Sequence, residues 1–235
     1  MKIIGLIGGM SWESSALYYR HINKMVHQQL GGIHSAQIQM HSVDYDPIVE
    51  MGRVGNWQGV ADITTDIAVK LEASGAECIL ICCNTVHRIA DEVEQKISIP
   101  LIHIADVTGE AIQKAGLTKI ALLGTKFTME GDFFKSRILQ KFGIDTIVPN
   151  DADRDYLHDA IRNEFCNGIF SDSTKQHIIT IINKMVSEGA QGVILGCTEL
   201  PILISPEDCS IPVFDTTLIH SQAAVKFSLE ELAVV

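Results

Sequence analysis

Two of the six cysteines stand where a thiol can do acid–base work. Cys83 opens the triplet Cys83-Asn84-Thr85 and Cys197 opens Cys197-Thr198-Glu199; each closes an apolar, strand-like run and is followed by polar residues. An unperturbed cysteine has a pKa of roughly 8.5, so near neutral pH its thiol is a usable acid and its thiolate a usable base. With a carbon acid held between two such groups, one thiolate removes a proton from one face while the other thiol delivers a proton to the other face. Such exchange inverts a stereocentre, and neither step requires a metal or an organic cofactor. Helix N-termini predicted to start near Asn84 and Thr198 would favour the thiolates and hold a substrate carboxylate through backbone N–H groups.

What pairs these cysteines is an internal repeat. Leu6-Ile7-Gly8-Gly9 recurs as Leu122-Leu123-Gly124-Thr125, the stretch from Gly75 to Cys83 recurs from Gly189 to Cys197, and Ile99-Pro100 recurs as Ile211-Pro212. Three matches in one order and at nearly constant separation indicate two similar halves. Short β-rich runs alternate with longer amphipathic stretches, the pattern of βα units on a mainly parallel sheet. Strands are predicted at 2–7, 36–40, 78–82, 101–104, 119–123, 146–148, 192–195 and 213–214. Helices are predicted at 11–29, 57–73, 85–95, 107–115, 130–142, 154–165, 173–188 and 217–229. The expected fold is α/β, with two Rossmann-like domains related by pseudo-twofold symmetry. The first domain is drawn at 1–104 plus 213–235 and the second at 105–212. Ligands of such folds bind beyond the carboxyl ends of the strands, here in the interdomain cleft.

Composition narrows the remaining possibilities. In 235 residues, 46% hydrophobic content supplies a substantial core, while 29 Asp+Glu against 18 Lys+Arg and no basic patch make nucleic acid a poor partner. No apolar run has the length of a signal segment or a membrane span, so a cytoplasmic protein without a membrane partner is expected, its thiols reduced. Cys78 and Cys82 lie in a predicted buried strand and read as packing residues, Cys82 on the opposite strand face from Cys83. Cys166 and Cys209 have no supporting context. His87 lacks a complete ligand set around it, so no metal is expected, and a helix-start hydrogen bond is the better reading. A Cys/His hydrolase would leave the second cysteine unexplained. Gly8-Gly9 follows the first strand without the dinucleotide fingerprint.

Gly8-Gly9-Met10-Ser11, Cys83-Asn84-Thr85-Val86-His87 and Gly196-Cys197-Thr198-Glu199 together resemble the aspartate/glutamate racemase family, over essentially the full length. The extended motif from Gly8 to Ser14, with His34-Ser35-Ala36-Gln37, is most similar to the bacterial L-aspartate/glutamate-specific or broad-specificity subgroup. The resemblance implies a cofactor-independent amino-acid racemase, with Cys83 and Cys197 as the proton-transferring pair facing each other across the cleft. It places Met10, Asn84, Thr85, Thr125 and Thr198 around the substrate's amino and carboxylate groups. Arg53 matches a basic position on a mobile loop that can meet a side-chain carboxylate, and Glu199 would tune the second cysteine or bind the ammonium. Some members of the subgroup carry Thr at the position of Cys83 and work in one direction; Cys83 leaves both open. The Lys that aspartate racemases carry near the position of Cys166 is missing from Glu164-Phe165-Cys166-Asn167, against strict aspartate specificity. A homodimer is implied as well. The alternatives are a maleate-isomerase- or decarboxylase-like enzyme on a dicarboxylic acid, and a noncatalytic carboxylate-binding sensor.

Overall fold

Strands of a parallel sheet covered on both faces read as uninterrupted apolar runs, and Ile4–Gly8 (β1) is buried at every position. In a computed structural model describing residues 1–230, β1 is the centre of a three-stranded parallel sheet, between β2 (Ile38–Ser42) and β3 (Cys78–Ile81). A bridge from Ile79 to Leu101 extends this sheet by one rung. The second sheet, also parallel, has the order β5 (Asp145–Ile147), β4 (Lys119–Gly124), β6 (Val193–Gly196), β7 (Val213–Asp215).

The helices, in chain order, are α1 (Trp12–Leu30), α2 (Tyr45–Arg53), α3 (Trp57–Ala73), α4 (Ala90–Glu94), α5 (Ile104–Lys114), α6 (Lys126–Glu130), α7 (Asp132–Phe142), α8 (Asp151–Asn163), α9 (Asp172–Ser187), α10 (Leu200–Leu203) and α11 (Thr216–Leu229). The alternation of a strand sends neighbouring side chains to opposite faces. Ile79, Ile81 and Cys83 accordingly join Val60, Ile67 and Leu71 of α3 in one apolar cluster. Cys78, Leu80 and Cys82 join Tyr18, Ile22 and Val26 of α1 and Ala224 and Val225 of α11 in another. In the second sheet Ala121, Leu123, Val193 and Leu195 pack on Leu157 of α8 and Ile178, Ile181 and Ile182 of α9. Asp106 of α5 takes Arg137 of α7 at 2.6 and 2.9 Å and Lys141 at 2.7 Å. Burial pushes its carboxyl up, but these bonds outweigh that and hold it below its ordinary value.

The repeat is visible bond by bond within each unit. Leu6 and Ile7 pair with Leu80 and Ile81, as Leu122 and Leu123 pair with Ile194 and Leu195. The Ile79 N–H donates to the Pro100 carbonyl and the Val193 N–H to the Pro212 carbonyl, both at 2.9 Å. One compact unit comprises Met1–Ile104 and the chain from Thr217, the other Ala105–Thr216.

Several expectations are corrected. The segment 213–216 belongs to the second unit, because β7 pairs with β6; residues 231–235 of the predicted first domain lie outside the described residues. The strand expected at 101–104 is reduced to the Leu101 bridge, and Ile104 already opens α5. The predicted 85–95 helix is a 3-10 turn, Thr85–Ile89, followed by α4. The predicted 130–142 helix begins earlier, as α6, and is interrupted at Gly131, which is extended at φ −67° and ψ 141°.

Candidate active site

Each candidate thiol stands just beyond the carboxyl end of a buried strand, Cys83 in the first unit and Cys197 in the second. In the first, the chain leaves β1 through Gly8-Gly9-Met10. Gly9 has φ +92°, and a Cβ on it would stand 2.3 Å from the Val43 carbonyl oxygen, so only glycine fits there. Its N–H donates to Ser15 Oγ at 2.7 Å, and Ser15 Oγ donates to the Ser11 carbonyl. Ser11 caps α1 by accepting from the Ser14 N–H. This turn seats Met10, 3% exposed, in the apolar cluster that holds Cys83.

Cys83 is buried, and its neighbour Cys82 faces the other cluster, so adjacent cysteines occupy opposite sides of the sheet. Both carbonyls receive side-chain donors: Ser14 Oγ bonds the Cys82 oxygen at 3.0 Å and His87 Nδ1 the Cys83 oxygen at 2.8 Å. The turn carrying Asn84, buried, and Thr85, half-buried, is anchored further by Arg88, whose guanidinium lies 4.7 Å from the Trp57 ring centre. Burial lifts the Cys78 thiol to about 12 and pushes Cys82 higher still, which makes both inert packing groups.

In the second unit β4 and β6 approach through facing glycines. A Cβ on Gly124 would come within 2.8 Å of the Gly196 oxygen, and the strand ends there. Thr125 follows as the cap of α6, accepting from the Thr128 N–H. Cys197 follows Gly196; its thiol donates to Glu199 Oε2 at 2.9 Å, and Thr198 Oγ1 donates to the same oxygen at 2.8 Å. All three residues are buried. Burial first, then the negative charge of Glu199 and the bond to it, hold the Cys197 thiol well above its ordinary pKa.

This corrects the expectation that helix N-termini would favour the thiolates. The elements after Cys83 and Cys197 are a five-residue 3-10 turn and the four-residue α10, too short to carry much dipole, and burial dominates at Cys197. Arg53 is also corrected: it is the last residue of α2, not part of a loop, and its exposed guanidinium pairs with Glu50 at 2.8 Å. Sequence reasoning missed Ser14 and Ser15 as supports of the site. Among the described residues no group of three or more His, Cys, Asp or Glu side chains is arranged to hold a metal ion, and no helix is long and apolar enough to cross a membrane.

The sign of the Glu199 effect gives a prediction. Glu199→Gln removes a negative charge beside Cys197, so the thiol should titrate at lower pH than in the parent protein, while burial keeps it raised. Alkylation of Cys197, followed by peptide mass mapping across a pH series, should show its midpoint moving down. An unchanged or higher midpoint would mean that Glu199 does not control the thiol.

The family model described as Asp/Glu/Hydantoin racemase matches residues 7–224. The chain is 27% identical over 163 residues to the broad specificity amino-acid racemase RacX of Bacillus subtilis, covering 68% of each chain. It is 46% identical to a candidate Asp/Glu racemase of known structure from Yersinia pestis, with a TM-score of 0.92 and coverage of 97% and 100%. An aspartate racemase homologue from Pyrococcus horikoshii is 34% identical, with a TM-score of 0.85 and coverage of 97% and 99%.

Proposed function

The chain belongs to the Asp/Glu/hydantoin racemase family, and from that premise we propose a PLP-independent amino-acid racemase in which Cys83 and Cys197 exchange the α-proton. The observation that carries the reading is the repeat: the two thiols follow equivalent strands, β3 and β6, whose neighbours and hydrogen bonds correspond pair by pair.

In one direction the Cys83 thiolate takes the α-proton and becomes a thiol, and the Cys197 S–H returns a proton to the opposite face of the planar carbanion, becoming the thiolate. The reverse direction starts from that state, so no external acid or base is consumed. A raised pKa keeps Cys197 protonated at rest, the form required of the donor. Glu199, already accepting from this thiol, stabilises that form. Met10, Asn84, Thr85, Thr125 and Thr198 are proposed to line the substrate's ammonium and carboxylate. Arg53 would leave Glu50 to meet a side-chain carboxylate; exposure leaves that ion pair weak enough for such an exchange.

Aspartate and glutamate are the first substrates to test, with other polar amino acids next. Incubation of each L- and D-enantiomer without added cofactor, followed by chiral chromatography, should bring at least one pair to an equimolar mixture from both sides. Maleate isomerisation without amino-acid inversion, or amino-acid binding without inversion, would refute the proposal. The same reading takes the protein as cytoplasmic, consistent with its free cysteines, and as a homodimer; a light-scattering mass of one chain would refute the latter.

A further inference from the structure

His87 Nδ1 lies 2.8 Å from the Cys83 carbonyl oxygen, which can only accept, so Nδ1 carries the proton. Its Nε2 lies 3.2 Å from the backbone nitrogen of Ile104, which can only donate, so Nε2 presents a lone pair. Two main-chain groups thereby fix one neutral tautomer. The ring is 2% exposed and packs edge-on against His103, at 4.7 Å between centres, and His220, at 5.6 Å.

His220 repeats the device nearby. Its Nε2 stands 2.6 Å from the Ile102 carbonyl and its Nδ1 2.8 Å from Tyr18 Oη, and burial pulls its pKa down to about 4. Two buried imidazoles therefore grip the segment from Ile102 to Ile104, where the first unit ends and α5 begins. One of them continues to the backbone of Cys83. An apolar side chain at position 87 would leave both the Cys83 carbonyl and the Ile104 N–H without this partner.

We propose that His87 is the positioning residue for Cys83: its neutral imidazole links the cysteine's carbonyl to the first residue of α5 and so sets the direction of the thiol. The inference rests on reading Cys83 as one of the two proton-transferring thiols. The role proposed for His87 is indirect. It acts by fixing the backbone from which Sγ projects, and a displacement on the order of 1 Å at a reacting group costs about 100-fold in rate.

The test uses two substitutions that each keep half of the imidazole. His87→Asn places an amide near the position of Nδ1 and retains a donor for Cys83; His87→Gln reaches toward the position of Nε2 and retains only the Ile104 contact. Racemisation is followed from each enantiomer alongside α-proton exchange in D₂O. His87→Gln should lower kcat by about 10- to 100-fold with KM near the parent value, and should slow exchange most for the enantiomer deprotonated by Cys83. His87→Asn should recover most of the loss. Equal losses in both variants and for both enantiomers would reduce His87 to a structural residue and overturn the proposal, as would an unaffected His87→Gln.

If neither variant folds, long-range ¹H–¹⁵N correlation of the parent protein decides: an Nδ1–H imidazole at His87 supports the proposal, and an Nε2–H or charged ring overturns it. Cys83→Ser separates the two levels. If it keeps α-exchange of both enantiomers, the cysteine reading fails and this inference fails with it. If it loses one side while His87→Gln loses neither, only the role of His87 fails.

Discussion

Cys197→Ser should abolish racemisation from both enantiomers while sparing the α-proton exchange of one. A serine hydroxyl is far too weak an acid to replace a thiol, and a positioned general acid or base contributes about 10²- to 10⁴-fold. Inversion in either direction uses both groups, so losing either one stops it both ways. Deprotonation alone uses one group, and the base that remains still exchanges the enantiomer whose proton it faces. Cys83→Ser should give the mirror result, sparing the opposite enantiomer. The substitution keeps the shape of the side chain but buries a hydroxyl at positions only 7% and 8% exposed, so the fold should survive with a lowered melting temperature. Chiral chromatography and proton NMR in D₂O read the two quantities separately. Exchange of both enantiomers surviving in both variants would remove the cysteines from the chemistry.

The largest expected effect on stability lies at the turn that seats Met10. Gly9→Ala places a methyl group 2.3 Å from the oxygen and 2.5 Å from the nitrogen of Val43, both main-chain atoms, at φ +92°. Neither neighbour can swing aside as a side-chain tip would. The Val43 nitrogen is also committed to the Gly8 carbonyl at 3.0 Å. A left-handed residue costs about 1–2 kcal/mol and overpacking about 1–3 kcal/mol more, so the variant should be less stable by about 2–5 kcal/mol. Gly143→Ala is the control: φ is +68° and ψ +21°, the left-handed region, but nothing lies within 4 Å of the new methyl group, so only the backbone cost applies. Urea unfolding of the two variants side by side should show a clearly greater loss for Gly9→Ala. Equal losses would mean that Val43 moves freely and that the turn is not clasped.

The alternating pattern and the repeat carried most of the architecture, because buried parallel strands announce themselves as short apolar runs. The local failures have particular causes. Helix α2 was missed: of its nine residues only Ile48 and Gly52 are buried, and Pro47 and Gly52 interrupt the pattern. The segment after Leu101 is as apolar as a strand, yet the Ile104 N–H is bonded to His87, seventeen positions away in the chain. The placement of Cys83 and Cys197 after equivalent strands was legible because the repeat aligned them. His220 was not, since its partners Tyr18 and Ile102 lie 202 and 118 residues away and no short-range pattern points to them. The acidity of Cys197 was misjudged for a related reason. Sequence shows the residue that follows a strand but not the burial of its sulfur, and burial outweighs the dipole of a four-residue helix.

In the proposed reaction two thiols on opposite faces of the substrate exchange its α-proton. Early deuterium uptake tests it most directly, with the parent protein, one pure enantiomer of its best substrate and D₂O, sampled before appreciable reversal. Two-base exchange through Cys83 and Cys197 predicts deuterium in nearly every molecule of the inverted product and almost none in the recovered starting enantiomer. Deuterium appearing equally in the recovered enantiomer and the product would show one base serving both faces, and inverted product that retains its original hydrogen would show a single group carrying the proton across. Either result would refute exchange between two thiols.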